Sequence, residues 1–241
     1  MTAPPAPAPR TALLLGATGL VGRRCLAHLL AHPAWTAVTA LVRRPTGVAH
    51  PRLREVVAAP LEPARLDPAH FACDDLVVAL GTTLRAAGSR EAFRRVDHDL
   101  VLDVARRARA AGARRVALVS SIGADARAPA FYLRTKGEVE DALAALGFEQ
   151  AELLRPSLLV GDRAERRPLE AVGVAAASGL RALLGGPLRR YRPIDADVVA
   201  RAAVAALAAG TPGVHARAYD ALEELARALP PGPPTPGGAA M

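Results

Sequence analysis

Several residue types are scarce in this chain of 241 residues. Aromatic residues make up 3% of it, cysteine occurs twice, and asparagine does not occur at all. Cys25 and Cys73 are isolated thiols without a disulfide framework or a metal-binding spacing, so we expect both to fill the core of a protein in a reducing cytoplasm. The six histidines are scattered without ligand spacing, and we therefore predict no metal site.

Long apolar runs are also missing. No stretch of about 18 uncharged apolar residues is present to span a bilayer. Residues 1–10, MTAPPAPAPR, lack the apolar region of a signal peptide. We therefore expect a soluble protein with no membrane partner.

The net charge of +8 raises the question of a nucleic-acid partner. The arginines come as scattered pairs, however, and few aromatic side chains are present to stack on bases. We therefore predict no nucleic-acid partner. We expect a small-molecule substrate, and we leave open a protein partner or a homo-oligomer.

Hydrophobic periodicity predicts a single α/β domain over residues 11–229, between tails at 1–10 and 230–241 that are rich in proline and glycine and are expected to be disordered. Short apolar runs predict buried strands at 11–16, 36–42, 53–58, 74–80, 114–120 and 151–156. Helical periods occur at about 20–32, 89–112, 132–146 and 196–209. This alternation predicts a Rossmann-like, doubly wound parallel sheet with helices on both faces.

A glycine-rich turn follows the first strand and opens the first helix. Its residues are Gly16, Ala17, Thr18, Gly19, Leu20, Val21 and Gly22. Glycine permits positive φ, close approach of a phosphate to the backbone, and close packing of helix and strand. The free N–H groups of the helix would hold a pyrophosphate, so the turn predicts a dinucleotide site.

The second predicted strand ends beside Arg43 and Arg44. At this position NAD-selective proteins of the fold carry an acid for the ribose 2′-hydroxyl. Two guanidinium groups without an acid are better matched by a 2′-phosphate. The pair predicts NADP(H) in preference to NAD(H), although a solvated turn would also account for it.

Lysine occurs once, as Lys136, four residues after Tyr132 in a helical segment. The i, i+4 spacing places both side chains on one face of the helix. A tyrosine that donates a proton near neutral pH needs its pKa lowered by several units from about 10. One ammonium at about 4 Å supplies on the order of 4 kcal/mol at an effective dielectric near 20, enough for two to three units. We therefore predict that Tyr132 and Lys136 form a catalytic pair.

Two serines, Ser120 and Ser121, end the fifth predicted strand at the edge where ligands of such sheets bind. A hydroxyl there would steady the substrate oxygen as its charge develops. We predict that Ser121 has this role, with Ser120 as the alternative.

These motifs together resemble the short-chain dehydrogenase/reductase superfamily, and within it the atypical Tat-interacting-protein-like NAD(P)H-binding branch. The resemblance covers most of the predicted domain and rests on stretches that occur in the family's order and spacing: LLGATGLVG, LVRRP, VVALGTTLRAAGSREAFRRVDHD, VSSIGADA, FYLRTKGEVE and LLRPSLLVGDRAERRP. It implies a Rossmann-like fold that binds NADPH. It also implies cofactor contacts from Leu80, Gly81, Thr82, Arg43, Arg44, Leu159 and Arg167, besides Tyr132 and Lys136.

The chain departs from the family at two points. Ala58, Ala59 and Pro60 stand where relatives usually carry an acid near the adenine, and the superfamily's catalytic asparagine has no counterpart because the chain contains no asparagine.

The substrate side is expected at about 157–194, an apolar, glycine-rich segment.

We therefore expect an NADPH-dependent oxidoreductase that reduces a carbonyl or an activated double bond. The alternative is an NADPH-binding regulator that engages a protein partner without turnover.

Overall fold

The computed structural model describes residues 9–161 and 186–230 of the chain. The strands of this part are β1 (Arg10–Leu15), β2 (Trp35–Val42), β3 (Leu53–Val57), β4 (Asp75–Val78), β5 (Arg115–Val119), β6 (Gln150–Leu154), β7 (Leu159–Val160), β8 (Ile194–Asp195) and β9 (Gly213–Arg217). Its α-helices are α1 (Leu20–Ala31), α2 (Leu84–Ala87), α3 (Arg90–Arg94), α4 (Leu100–Ala110), α5 (Phe131–Ala145), α6 (Ala196–Ala209) and α7 (Tyr219–Ala226). Short 3₁₀ turns lie at Pro63–Arg65, Pro68–Phe71 and Gly186–Tyr191, and a π-helical turn at Arg95–Asp99 joins α3 to α4.

A parallel sheet is the centre of the fold. Within the described residues, seven strands pair in the order β3-β2-β1-β4-β5-β6-β9, all parallel. The chain moves outward from β1 to β3, then returns to the other side of β1 with β4. Ligands of such sheets bind at the carboxyl ends of the strands near this reversal. The predicted Rossmann-like, doubly wound architecture is confirmed.

Alternating side chains along the strands supply two cores, one on each face of the sheet. On β1, Ala12 and Leu14 belong to the core beneath α1, α6 and α7. Leu13 and Leu15 belong to the core beneath α4 and α5. The first face is rich in alanine from α6, which allows that helix to lie close to α1.

Both cysteines lie within these cores, Cys25 fully buried and Cys73 8% exposed. Burial raises the pKa of each thiol to about 12, so both are protonated near neutral pH. This agrees with the prediction that they fill the core.

Three features of the fold differ from the sequence-based prediction. The first strand begins at Arg10, one residue inside the predicted tail. The predicted helix at 89–112 is divided among α3, a π-helical turn and α4. Five elements were not predicted: the strands β7, β8 and β9 and the helices α2 and α7. The edge strand β9 was missed because it is largely exposed and shows no apolar alternation.

Within the described ranges, no helix has the length and apolar character needed to cross a membrane. Residues 1–8 and 231–241 of the predicted tails, and 162–185 of the predicted substrate segment, lie outside the described residues.

Candidate functional site

The glycine turn after β1 requires glycine at two positions. Gly16 has φ +94°, and a Cβ there would lie 2.5 Å from the backbone nitrogen of Leu80 after β4. A Cβ on Gly22 would lie 1.9 Å from the carbonyl oxygen of Gly16. No real Cβ makes contacts this short, so glycine at these positions allows the turn to fold onto β4 and α1 to pack against the turn.

The amino terminus of α1 is open. Gly19 occupies the N-cap with φ −77° and gives no side-chain cap, and no acid lies in the first turn. Thr18 and Gly19 are exposed, whereas Ala17, Val21 and Gly22 are buried. Uncapped N–H groups at a helix amino terminus attract an anion.

Arg43 and Arg44 follow β2 at the same edge of the sheet. Leu41 pairs with Leu15, so the two arginines come just beyond the level of Gly16 on the neighbouring strand. Both are exposed, and neither has an ion-pair partner among the described residues. Their guanidinium groups are available to an anionic ligand that extends from the glycine turn.

The segment after β4 lies between the glycine turn and α5. Leu80 touches Gly16 as described above. A Cβ on Gly81 would lie 3.6 Å from Asp97 Oδ1 and 3.8 Å from Lys136 Nζ. Thr82 donates its backbone N–H to Asp97 Oδ2 at 2.9 Å. The structure thus brings the predicted residues Leu80, Gly81 and Thr82 beside Lys136.

Tyr132 and Lys136 both lie on α5, as the spacing predicts, but the lysine has a partner that sequence reasoning missed. The Lys136 ammonium lies 2.8 Å from Asp97 Oδ1, and the side chains are 5% and 0% exposed. Burial raises the pKa of the Asp97 carboxyl, and the Lys136 ammonium opposes that rise. The positive charge that we expected to act on Tyr132 alone is therefore shared with a carboxylate.

Tyr132 is half-buried near the start of α5 and packs against an aromatic side chain. The centroid of its ring lies 5.6 Å from that of Phe93, at an interplanar angle of 53°. Phe93 is fully buried on α3. This contact holds the phenol ring by packing, as is usual for buried aromatic pairs.

The two serines after β5 differ in their surroundings. Ser120 continues the ladder, donating its N–H to Leu154 O at 2.7 Å, and its hydroxyl is buried with no hydrogen-bond partner among the described residues. Ser121 donates its hydroxyl to Ile122 O at 3.3 Å. Because Val116 and Leu118 face the core beneath α5, strand alternation puts Ser120 on the same face of the sheet as α5.

Leu159 lies in the short strand β7 and is half-buried. Gly161, just beyond it, has φ +151°, and a Cβ there would lie 3.4 Å from Leu20 Cδ1 at the start of α1. The predicted residue Leu159 therefore lies close to the glycine turn. The predicted cofactor residue Arg167 lies outside the described residues.

Two further residues of α5 set its position and were not predicted. A Cβ on Gly137 would lie 2.1 Å from the backbone nitrogen of Ala126, so glycine lets α5 pack directly on the loop after β5. Glu140, 2% exposed, accepts hydrogen bonds from the Arg155 guanidinium that follows β6. The stretch KGEVE contains both residues, but the sequence does not show which loop or side chain the helix will pack against.

Comparison with known proteins agrees with this geometry. Residues 16–167 match the model of a family described as NAD(P)H-binding. Two fungal relatives are proteins named fmp52, mitochondrial, from Emericella nidulans and Candida albicans, which are 39% and 32% identical over 202 and 197 residues. Each alignment covers 79% of this chain, and 84% and 85% of the respective relative.

Solved structures share the fold at low identity. MoeE5 in complex with UDP-glucose and NAD has a TM-score of 0.64 and 17% identity, covering 90% of this chain and 81% of that one. The Bordetella bronchiseptica enzyme WbmH in complex with NAD+ has a TM-score of 0.63 and 17% identity, covering 91% and 80%. At these identities the likeness shows the fold alone.

One prediction is contradicted. The absence of a signal peptide and of a disulfide framework led us to expect a cytoplasmic protein, but the fungal relatives are named as mitochondrial proteins. The prediction of a cytoplasmic location is wrong, because thiol usage and a missing secretory signal do not distinguish the reducing compartments of a cell from one another.

Proposed function

Since the chain belongs to the NAD(P)H-binding family, as the match over residues 16–167 shows, we propose that it is an NADPH-dependent oxidoreductase of the short-chain dehydrogenase/reductase type. The resemblance to the atypical members of that superfamily is confirmed. The proposed reaction is hydride transfer to a carbonyl or to an activated double bond. The observation that carries the proposal is the position of Gly81, which lies beside Lys136 and, through Leu80, beside the glycine turn.

The described residues fit a dinucleotide. At Gly16 and Gly22 a side chain would collide with the backbone, and the open amino terminus of α1 offers N–H groups to a pyrophosphate. The exposed guanidinium groups of Arg43 and Arg44 suit a 2′-phosphate, which supports a preference for NADPH. The contacts proposed for Leu80, Gly81, Thr82 and Leu159 follow from their nearness to this turn.

NADPH supplies the hydride when it is bound. In the proposed mechanism, Tyr132 donates its phenolic proton to the substrate oxygen as negative charge develops there. Lys136, one turn further along α5, would hold a ribose hydroxyl of the cofactor.

In the proposed mechanism, a serine hydroxyl after β5 donates a hydrogen bond to the substrate oxygen. We infer that Ser120 has this role in place of Ser121. The Ser120 hydroxyl is buried without a partner among the described residues, whereas the Ser121 hydroxyl is bonded to Ile122 O. A buried hydroxyl without a partner is costly, and a bound substrate oxygen would satisfy it.

The test is a titration with NADPH and NADH, followed by assays of NADPH consumption with a panel of aldehydes, ketones and quinones. Binding of NADPH with consumption by one class of substrate would support the proposal and identify that class. Failure of the protein to bind either cofactor would contradict it.

The second candidate is an NADPH-binding regulator that engages a protein partner without turnover. The absence of asparagine from the chain favours it, because the superfamily's catalytic asparagine then has no counterpart. Tight NADPH binding without consumption across the whole panel would support the regulator. Consumption that is lost on Tyr132→Phe would support the enzyme.

A further inference from the structure

A π-helical turn interrupts the helical segment that follows β4. It spans Arg95–Asp99, between the end of α3 and the start of α4. Such turns are rare and occur frequently at functional sites, because the extra residue redirects the side chains around it. Asp97 lies at its middle and is 1% exposed.

Both oxygens of the Asp97 carboxylate are engaged. Oδ1 lies 2.8 Å from the Lys136 ammonium, and Oδ2 accepts the N–H of Thr82 at 2.9 Å. Gly81 lies against this arrangement, since a Cβ there would be in ordinary van der Waals contact with both charged groups. One acid therefore joins the turn after β4 to the lysine of α5.

Stability alone does not account for this pair. Burying two charges carries a desolvation penalty that the attraction between them offsets only in part, so an apolar pair of similar volume would stabilise a core as well or better. A buried pair is better suited to holding its groups in one arrangement.

We propose that Asp97 is a positioning residue that holds the Lys136 ammonium and the backbone of Thr82 together, and so joins the cofactor turn after β4 to the Tyr132–Lys136 pair. The link to catalysis rests on the proposed function. The contacts of Asp97 with Lys136 and Thr82 are a property of the free protein, and they are measured without cofactor or substrate.

Other charged groups near the pair already have partners on the described elements. Arg94 on α3 pairs with Glu138 on α5, His98 in the π-helical turn pairs with Asp99, and Glu140 on α5 pairs with Arg155 after β6. Arg95, in the same turn, is exposed to solvent. Asp97 is therefore the acid that sets the electrostatic surroundings of Lys136.

The chain has a single lysine, so lysine labelled with carbon-13 at the ε-carbon produces one NMR signal that reports on Lys136 alone. In the wild-type protein this signal reports on an ammonium that lies 2.8 Å from the Asp97 carboxylate. Asp97→Asn removes the charge and nearly preserves the shape. It should shift the Lys136 signal, because a neutral amide replaces the carboxylate that lies against the ammonium.

The control is Asp103→Asn, which makes the same change at a half-exposed acid of α4 that pairs with Arg107. It should leave the Lys136 signal unchanged. A second signature is the Thr82 amide, whose hydrogen exchange should accelerate in Asp97→Asn and stay slow in the control.

A Lys136 signal and a Thr82 exchange rate in Asp97→Asn that equal those of the wild type would overturn the proposal. If that variant does not fold, the wild-type protein provides the test, because rapid exchange of its Thr82 amide would mean that Asp97 does not hold the turn after β4. Failure of the proposed function is a separate result, since it appears as absent NADPH binding or turnover in the wild-type protein.

Discussion

Gly22 lies against Gly16 across the turn that opens α1, so closely that a Cβ on Gly22 would lie 1.9 Å from the carbonyl oxygen of Gly16. The contact is between backbone atoms, and no flexible side chain can move aside. The position of α1 relative to β1, and with it the open helix terminus, therefore depends on the absence of one carbon atom.

Gly22→Ala should destabilise the protein and weaken NADPH binding together. We expect a loss of about 1–3 kcal/mol or more in the free energy of unfolding, as for overpacked cores. The comparison is Gly19→Ala, where φ is −77° and a Cβ would lie 3.3 Å from the nearest atom. Urea unfolding and NADPH titration measure both effects, and equal stability of the two variants would contradict the expected packing.

Tyr132→Phe should abolish turnover while NADPH binding is retained. Loss of a positioned proton donor costs typically about 10²–10⁴-fold in rate. The ring and its packing against Phe93 remain, so the fold should be unaffected. The measurement is NADPH consumption beside cofactor affinity, and a variant with wild-type turnover would remove Tyr132 from the mechanism.

Ser120→Ala and Ser121→Ala form a matched pair at adjacent positions directly after β5. We expect Ser120→Ala to lower kcat by about 10–10³-fold, the range for loss of a single donor at a developing oxyanion. Ser121→Ala should have a small effect, because that hydroxyl is bonded to Ile122 O. The reverse ranking of the two kcat values would restore Ser121 as the serine that contacts the substrate.

Replacing both Arg43 and Arg44 by alanine should weaken NADPH binding by about tenfold or more, since each charge-assisted hydrogen bond contributes about 1.5–3 kcal/mol. NADH binding should change little, because NADH lacks the 2′-phosphate. Arg106→Ala, on the exposed face of α4, is the control for loss of general positive charge. Equal weakening for both cofactors would mean that the arginines do not recognise the 2′-phosphate.

Local patterns in the chain were sufficient for the sheet, the glycine turn and the Tyr132–Lys136 spacing. Each depends on residues close together in sequence: apolar runs that form buried strands, glycines that permit a tight turn, and a four-residue step along one helix. The parallel, doubly wound arrangement followed because strands that alternate with helices pair in parallel. The edge strand β9 was missed because half-exposed side chains leave little alternation to detect.

The surroundings of Lys136 and of the two serines depend on packing between segments that are distant in sequence. Asp97 is 39 residues from Lys136 and lies in a π-helical turn that the sequence pattern did not predict. Ser120 differs from Ser121 because the alternation of β5 places Ser120 on the face of the sheet that α5 covers. The sequence alone does not show which of two adjacent serines faces a given helix. Contacts of this kind arise when helices pack on a sheet, and they are therefore visible only once the chain is folded.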